Sequence, residues 1–246
     1  MSDHLVEKPG DGDRMKAVLV VAATIGFVTS PFWSAGFGGF NPESFPVPLD
    51  DPPTQPAGYV FSIWGVIYLW LLVSALYGLL RRAEDDDWGA GRWWVIASLA
   101  LGTPWISVAN ASPVFATILI LGMLVTALRA LFLTPTHDRW MLRLPLALYA
   151  GWLTVASGVS LSVLAVGYGA PLYWPVLALV LAALVGVAMQ LALRLAPTYG
   201  AAIAWGLLGV VVKNMSSGSI ALAAIALFST VVILWATYRS EFQHTL

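Results

Sequence analysis

Cysteine is absent from the chain, and that zero removes disulfides, thiolate metal sites, iron–sulfur clusters and covalent c-type haem attachment. Charge is scarce. Asp, Glu, Lys and Arg make up 10% of the 246 residues, against about 25% in a typical soluble domain. Much of that charge is clumped in the first 16 residues and between Arg81 and Arg92. A net charge of −1 with no basic patch excludes a nucleic-acid binder. What is plentiful is hydrophobic: 59% of residues, with a mean hydropathy of +0.81. A disordered chain and a soluble enzyme are both excluded. The composition is that of a polytopic membrane protein.

A helix needs about 20 mostly apolar residues to cross the hydrocarbon core. Eight stretches qualify: Met15 to Gly36, Tyr59 to Leu80, Trp93 to Ala109, Val114 to Leu133, Leu144 to Tyr168, Leu172 to Leu195, Tyr199 to Val212 and Ile220 to Tyr238. The third contains Gly102 and Pro104, and the seventh is short. The runs are continuous rather than alternating, which excludes barrel strands. The sequence therefore predicts an all-α polytopic membrane protein with eight transmembrane helices. With the N-terminus inside, 11 of the 12 Lys and Arg residues fall on the cytoplasmic side and only Lys213 lies outside. Both ends are expected in the cytoplasm, in a bacterial inner membrane, with the first span an uncleaved anchor.

Intramembrane ionisable groups are scarce as well. Arg129 lies in the last turn of the fourth span and can snorkel, and Lys213 closes the seventh. His4, His137 and His244 lie in tails or a loop, so no metal site is expected. No nucleophile–base pair or paired carboxylate falls within the membrane, so an enzyme is not expected. The charged cluster from Arg81 to Arg92 reads as a solvated turn, with Gly89 and Gly91 leading into the third span. The loop from Phe37 to Ala57 has no Lys or Arg and six prolines. It reads as a stiff, extended segment, either a lid over a pocket or a connector lying on the helix ends.

Tryptophan is abundant, at 12 residues. Several sit at span ends, where interfacial belts form. Trp64, Trp70, Trp105 and Trp152 fall inside spans, where an indole N–H needs a protein, ligand or cavity partner. Phe61, Trp64 and Tyr68 lie at i, i+3 and i+7. Tyr149, Trp152 and Ala156 repeat that spacing. Two such faces can sandwich a planar ring system, or simply pack a bundle. In the sixth span Ala178, Ala182 and Gly186 form a small-residue stripe, suited to a homodimer, to a membrane-complex partner, or to seating the last helices on the first five.

These residues resemble a family. The segment from Pro56 to Tyr68, with Gly58-Tyr59-Val60-Phe61, Trp64 and Tyr68, is similar to the start of the second helix in the TspO/MBR family. That family comprises the tryptophan-rich sensory proteins and the peripheral-type benzodiazepine receptor, or translocator protein. Tyr149, Trp152 and Ala156 keep the spacing of its fifth helix, and Trp105 stands where its third helix has a Trp. The stretch from Ala196 to Trp205 resembles the extension of the longer bacterial members. Two family asparagines are replaced, by Gly102 and Ser160. The resemblance implies a five-helix bundle over residues 15–168, after a cytoplasmic tail over 1–14. A three-helix extension with a short cytoplasmic tail follows over 169–246. It implies a pocket toward the first loop, lined by Phe61, Trp64, Tyr68, Trp105, Tyr149, Trp152 and Ala156. The ligand it implies is a flat hydrophobic metabolite: a porphyrin or haem, or a sterol- or carotenoid-like lipid, held non-covalently. The function expected is that of a receptor or carrier with a sensory role. The alternatives are a non-catalytic subunit of a larger membrane complex and a secondary transporter of small metabolites.

Overall fold

A computed structural model describes residues 11–171 and 173–242. The tail residues 1–10 and 243–246, with His4 and His244, and Leu172, where the sixth span was expected to begin, lie outside the described residues. Among the described residues nine α-helices follow in order: α1 (Asp11–Trp33), α2 (Ile63–Arg81), α3 (Asp86–Gly102), α4 (Trp105–Ala111), α5 (Pro113–Leu133), α6 (Leu144–Gly167), α7 (Trp174–Ala192), α8 (Pro197–Ser216) and α9 (Ile220–Phe242). No strand occurs among the described residues. Seven helical segments of the described residues are long and apolar enough to cross a membrane. The remaining rod, α8, has 20 residues, which at about 1.5 Å per residue also reaches some 30 Å. The fold is an all-α polytopic membrane protein. Large apolar side chains such as Leu69, Phe115 and Phe228 stand exposed around its outside, where lipid replaces water.

Three expectations need correction. The third span begins at Asp86, well before Trp93, and breaks after Gly102. Asp85 caps it, accepting from the backbone N–H of Asp87 (3.0 Å) and Trp88 (3.2 Å), with Asp86 and Asp87 in the positive first turn. The solvated turn thus shrinks to a few residues after Arg81. Pro104 cannot donate to the helix, so α3 stops and α4 restarts at Trp105. The seventh span runs from Pro197 to Ser216, so Lys213 lies inside the helix. Finally, the segment before α2 is not all extended: Pro42–Ser44 and Gly58–Ser62 are 3-10 turns, so Phe61 precedes α2.

The interior belongs to α6 and α8. In α6 67% of the apolar window is buried inside the protein, against 22% in α1 and in α7. Glycines set the spacing. Tyr199 of α8 crosses α6 at Gly151, where an added β-carbon would lie 2.9 Å from the Tyr199 Cα. Val155 sits over Gly206, and Val60 over Gly209. Thr154 and Tyr199 share a buried hydrogen bond of 2.9 Å across the same interface. Protein surrounds α8 on several sides, which is why it carries fewer large apolar side chains than its neighbours.

Two buried arginines close the end of the bundle where α1 begins and α9 ends. Arg92, 4% exposed, donates to the carbonyls of Asp13 (2.8 Å), Ala83 (2.7 Å) and Arg82. Arg143, 5% exposed, donates to the carbonyls of Arg194 (2.6 Å) and Thr134 (3.0 Å) and to the Thr134 hydroxyl (3.0 Å). Arg143 thereby donates to carbonyls just past the C-termini of α5 and α7, and Arg92 ties the chain past the end of α2 to the first turn of α1. The stripe on α7 is used within the chain: an added β-carbon on Gly158 of α6 would lie 2.5 Å from the Ala182 Cβ, and one on Gly186 would lie 2.9 Å from Ile203 of α8.

Candidate ligand-binding site

The site lies under the proline-rich loop. That loop is fastened to α6 and α8. Val47 N–H donates to the Gly167 carbonyl (3.0 Å), and Phe45 fills the space that Gly167 leaves. The Thr54 hydroxyl donates to Ser162 (3.0 Å), and Ala57 N–H donates to the Gly209 carbonyl (3.1 Å). The Asn214 amide donates to the Pro53 carbonyl (2.7 Å), and Lys213 pairs with Asp51. Proline removes donors from this loop, so its few N–H groups and carbonyls are matched to helix-end partners. Gln55 reaches across the loop to the Gly38 carbonyl (3.1 Å).

Two adjoining cavities lie beneath, of about 60 Å³ and 240 Å³. Phe37, Phe61, Trp64 and Trp105 border both. Trp152, Ala156 and Ser160 of α6 line the smaller, and Phe27, Tyr68 and Gly102 line the larger. Trp64 and Tyr68 stack at 5.3 Å. Trp152 stands edge-on to Trp64 (6.0 Å, 82°) and to Phe61 (6.1 Å, 83°), the arrangement favoured by ring quadrupoles. No acid, base or histidine borders either cavity.

Six of the seven expected residues come together here: Phe61, Trp64, Tyr68, Trp105, Trp152 and Ala156. Tyr149 borders neither cavity. It is 1% exposed, shares a hydrogen bond with Ser98 (3.0 Å) and packs behind Phe27 (5.7 Å). Trp70 does not join the other deep tryptophans; it donates to the Trp140 carbonyl (2.9 Å) and stacks on Trp140. Sequence reasoning missed Phe27, Phe37 and Phe40. Phe27 occupies the space of the side chain missing at Gly102, where an added β-carbon would lie 2.5 Å from its ring. That packing leaves no room for the family asparagine. Phe37 closes edge-on over Trp105 (4.9 Å).

The indoles differ in their hydrogen bonding. Trp105 donates to the Ala116 carbonyl (3.0 Å), and Trp205 donates to the Val60 carbonyl (2.9 Å). Trp152 is 2% exposed, and its Nε1–H has no partner. A family model described as TSPO-like protein matches residues 18–238. The chain belongs to the TSPO-like family. The match reaches from α1 into α9, so the last three helices fall within it along with the first five spans. Comparison with curated proteins and with solved structures gives no match. Membership and the apolar helices make the chain an integral membrane protein, and the aromatic cavities are its candidate site.

Proposed function

We propose that the protein binds a flat hydrophobic metabolite between Trp64, Trp105 and Trp152, as a membrane receptor or carrier. The unpaired indole N–H of Trp152 carries this reading. A buried donor left without an acceptor is costly, and a ligand oxygen or ring nitrogen in the adjoining cavity would supply one. The aromatic edges around it suit a planar ring system. The two cavities are small beside the range of about 300–1,000 Å³ for small-molecule sites. A tetrapyrrole therefore fits only once Phe37 and Phe40 have swung away with their loop, whereas a smaller planar lipid needs less movement. No ionisable pair borders the site, so binding rather than bond cleavage or proton coupling is the role proposed. The basic residues concentrate at the end where α1 begins and α9 ends, and we place that end in the cytoplasm.

The test is titration of the purified protein with protoporphyrin IX, followed by quenching of tryptophan fluorescence. Saturable quenching is expected. Trp152→Phe keeps the ring and removes the donor, and should weaken binding roughly two- to tenfold. Trp64→Ala should weaken it more. Binding unchanged in both variants would overturn the site.

A further inference from the structure

A second recess lies on the opposite flank of α6. Here α7 leans on α6 through Gly158 and Ala182, and α5 packs further round the same helix. Between them runs a trough of about 880 Å³ open to the bilayer side. Its floor is made of small α6 residues, Thr154, Ser157, Gly158 and Ala165, and its sides are leucines and valines of α5 and α7. It begins between Tyr168 and Trp174, aromatic residues at the loop end of the bundle, and reaches inward to Thr154. Ser157 lies about 16 Å below Tyr168 at roughly 1.5 Å per residue. Half of a hydrocarbon core is about 15 Å. Ser157 therefore lies near the bilayer midplane, and the trough, which ends one turn further in at Thr154, is little more than one leaflet deep.

The polar groups at that depth are unequal. Thr154 is satisfied by the Ala150 carbonyl and the Tyr199 hydroxyl (both 2.9 Å). Ser157 is 3% exposed, and its hydroxyl has no partner. Water is scarce there, so the partner must come with whatever fills the trough. A helix from a second copy would need a groove through the full membrane thickness, and its own polar backbone is already paired. A lipid chain fits one leaflet, and an oxygen along it can reach Ser157.

We propose that this trough is a second binding site, taking from the bilayer one lipid chain that carries a mid-chain hydroxyl or keto oxygen. Ser157 bonds that oxygen, and Tyr168 and Trp174 flank the head group at the interface. The site shares no lining residue with the aromatic cavities.

The experiment is native mass spectrometry of the full chain in detergent, titrated with 12-hydroxystearate and with stearate. The wild type should retain one 12-hydroxystearate roughly two- to tenfold more tightly than stearate. Ser157→Ala should erase that preference and leave stearate retention unchanged. Ala165→Phe, which fills the trough, should lose both; should its melting temperature fall, Leu161→Trp fills the trough from the rim instead. Protoporphyrin quenching should be unchanged in all three variants, which separates this site from the aromatic one. Equal retention of the two probes by the wild type would overturn the proposal. So would a preference that survives Ser157→Ala, retention that persists in a folded trough-filling variant, or a dimer that forms through this face and excludes both probes.

Discussion

Changing Gly151 to alanine tests how α8 is held against α6. A β-carbon at Gly151 falls 2.9 Å from both the Cα and the carbonyl carbon of Tyr199, and closer still to the carbonyl oxygen. All three are backbone atoms, so no change of rotamer relieves the clash. Carbon atoms pack at about 3.5–4 Å, so the helices must part by roughly 1 Å. Parting them strains the Thr154–Tyr199 hydrogen bond and opens the Val155–Gly206 contact one turn on. Overpacking of this kind costs about 1–3 kcal/mol, and the weakened buried hydrogen bond adds about 1 kcal/mol. The higher helix propensity of alanine offsets about 1 kcal/mol. The net expectation is a loss of about 2 kcal/mol. Gly65 is the control: it is exposed on α2 with nothing within 4 Å of its missing β-carbon. There the same substitution should stabilise by about 0.5–1 kcal/mol. Thermal or SDS unfolding in detergent, followed by circular dichroism on both variants, measures the two signs side by side. A Gly151→Ala protein as stable as the wild type would refute the packing argument.

Arg143→Met should cost about 2 kcal/mol, because it leaves the buried Thr134 carbonyl without this donor and strips one from the partly buried Arg194 carbonyl; SDS unfolding reads the loss, and a cost below about 0.5 kcal/mol would contradict the clamp. Burial raises the Asp138 pKa, but hydrogen bonds from Arg82 (2.7 Å) and Trp88 (2.9 Å) and the Arg82 charge outweigh it and hold the carboxyl below the usual carboxylate range. A depressed carboxylate contributes stability above its unfolded pKa of about 4 and loses it as pH falls through the folded value. Melting temperature should therefore decline below about pH 4, by the equivalent of at most about 1 kcal/mol for a partly exposed pair, and this part of the decline should vanish in Asp138→Asn. Asp51→Asn should release one fastening of the loop, so hydrogen exchange over residues 45–57 should quicken severalfold while the melting temperature holds; unchanged exchange would show that the ion pair contributes nothing.

Apolar runs made α5, α6 and α9 legible, since nothing in them interrupts a span. The start of α3 was hidden because Asp86 to Arg92 has the composition of a surface turn. Its charges act locally: the Asp85 side chain caps the helix, and Arg92 turns inward to backbone carbonyls that no side-chain pattern reveals. Most of the aromatic site was legible because tryptophan at depth is rare enough to stand out. Phe27, Phe37 and Phe40 were not, since phenylalanine is ordinary in an apolar sequence and their value comes from the space left at Gly102 and from the fold of the loop. Trp70 and Tyr149 show the converse. Their residue types suited the site, but Trp140 and Ser98 satisfy their polar atoms elsewhere.

Lys213 shows what the last helices add. It breaks the charge asymmetry of the sequence, and among the described residues no other Lys or Arg lies at the loop end. Its position in α8 resolves the exception. One turn back toward the centre, α8 carries Gly209, which admits Val60 and accepts from Ala57 N–H at the entrance to the second span. Trp205, one turn further, donates to the Val60 carbonyl. Lys213 and Asn214 hold Asp51 and Pro53. One face of α8 thus fixes both the loop above the aromatic cavities and the 3-10 turn that carries Phe61 into them. A helix in this position must be thin, so it is rich in glycine and alanine and poor in the side chains that lipid would require. The same trait makes its hydropathy weak and gives it control over the site: loosening α8 must loosen the covering of the cavities, even though α8 contributes only Gly206 to their lining.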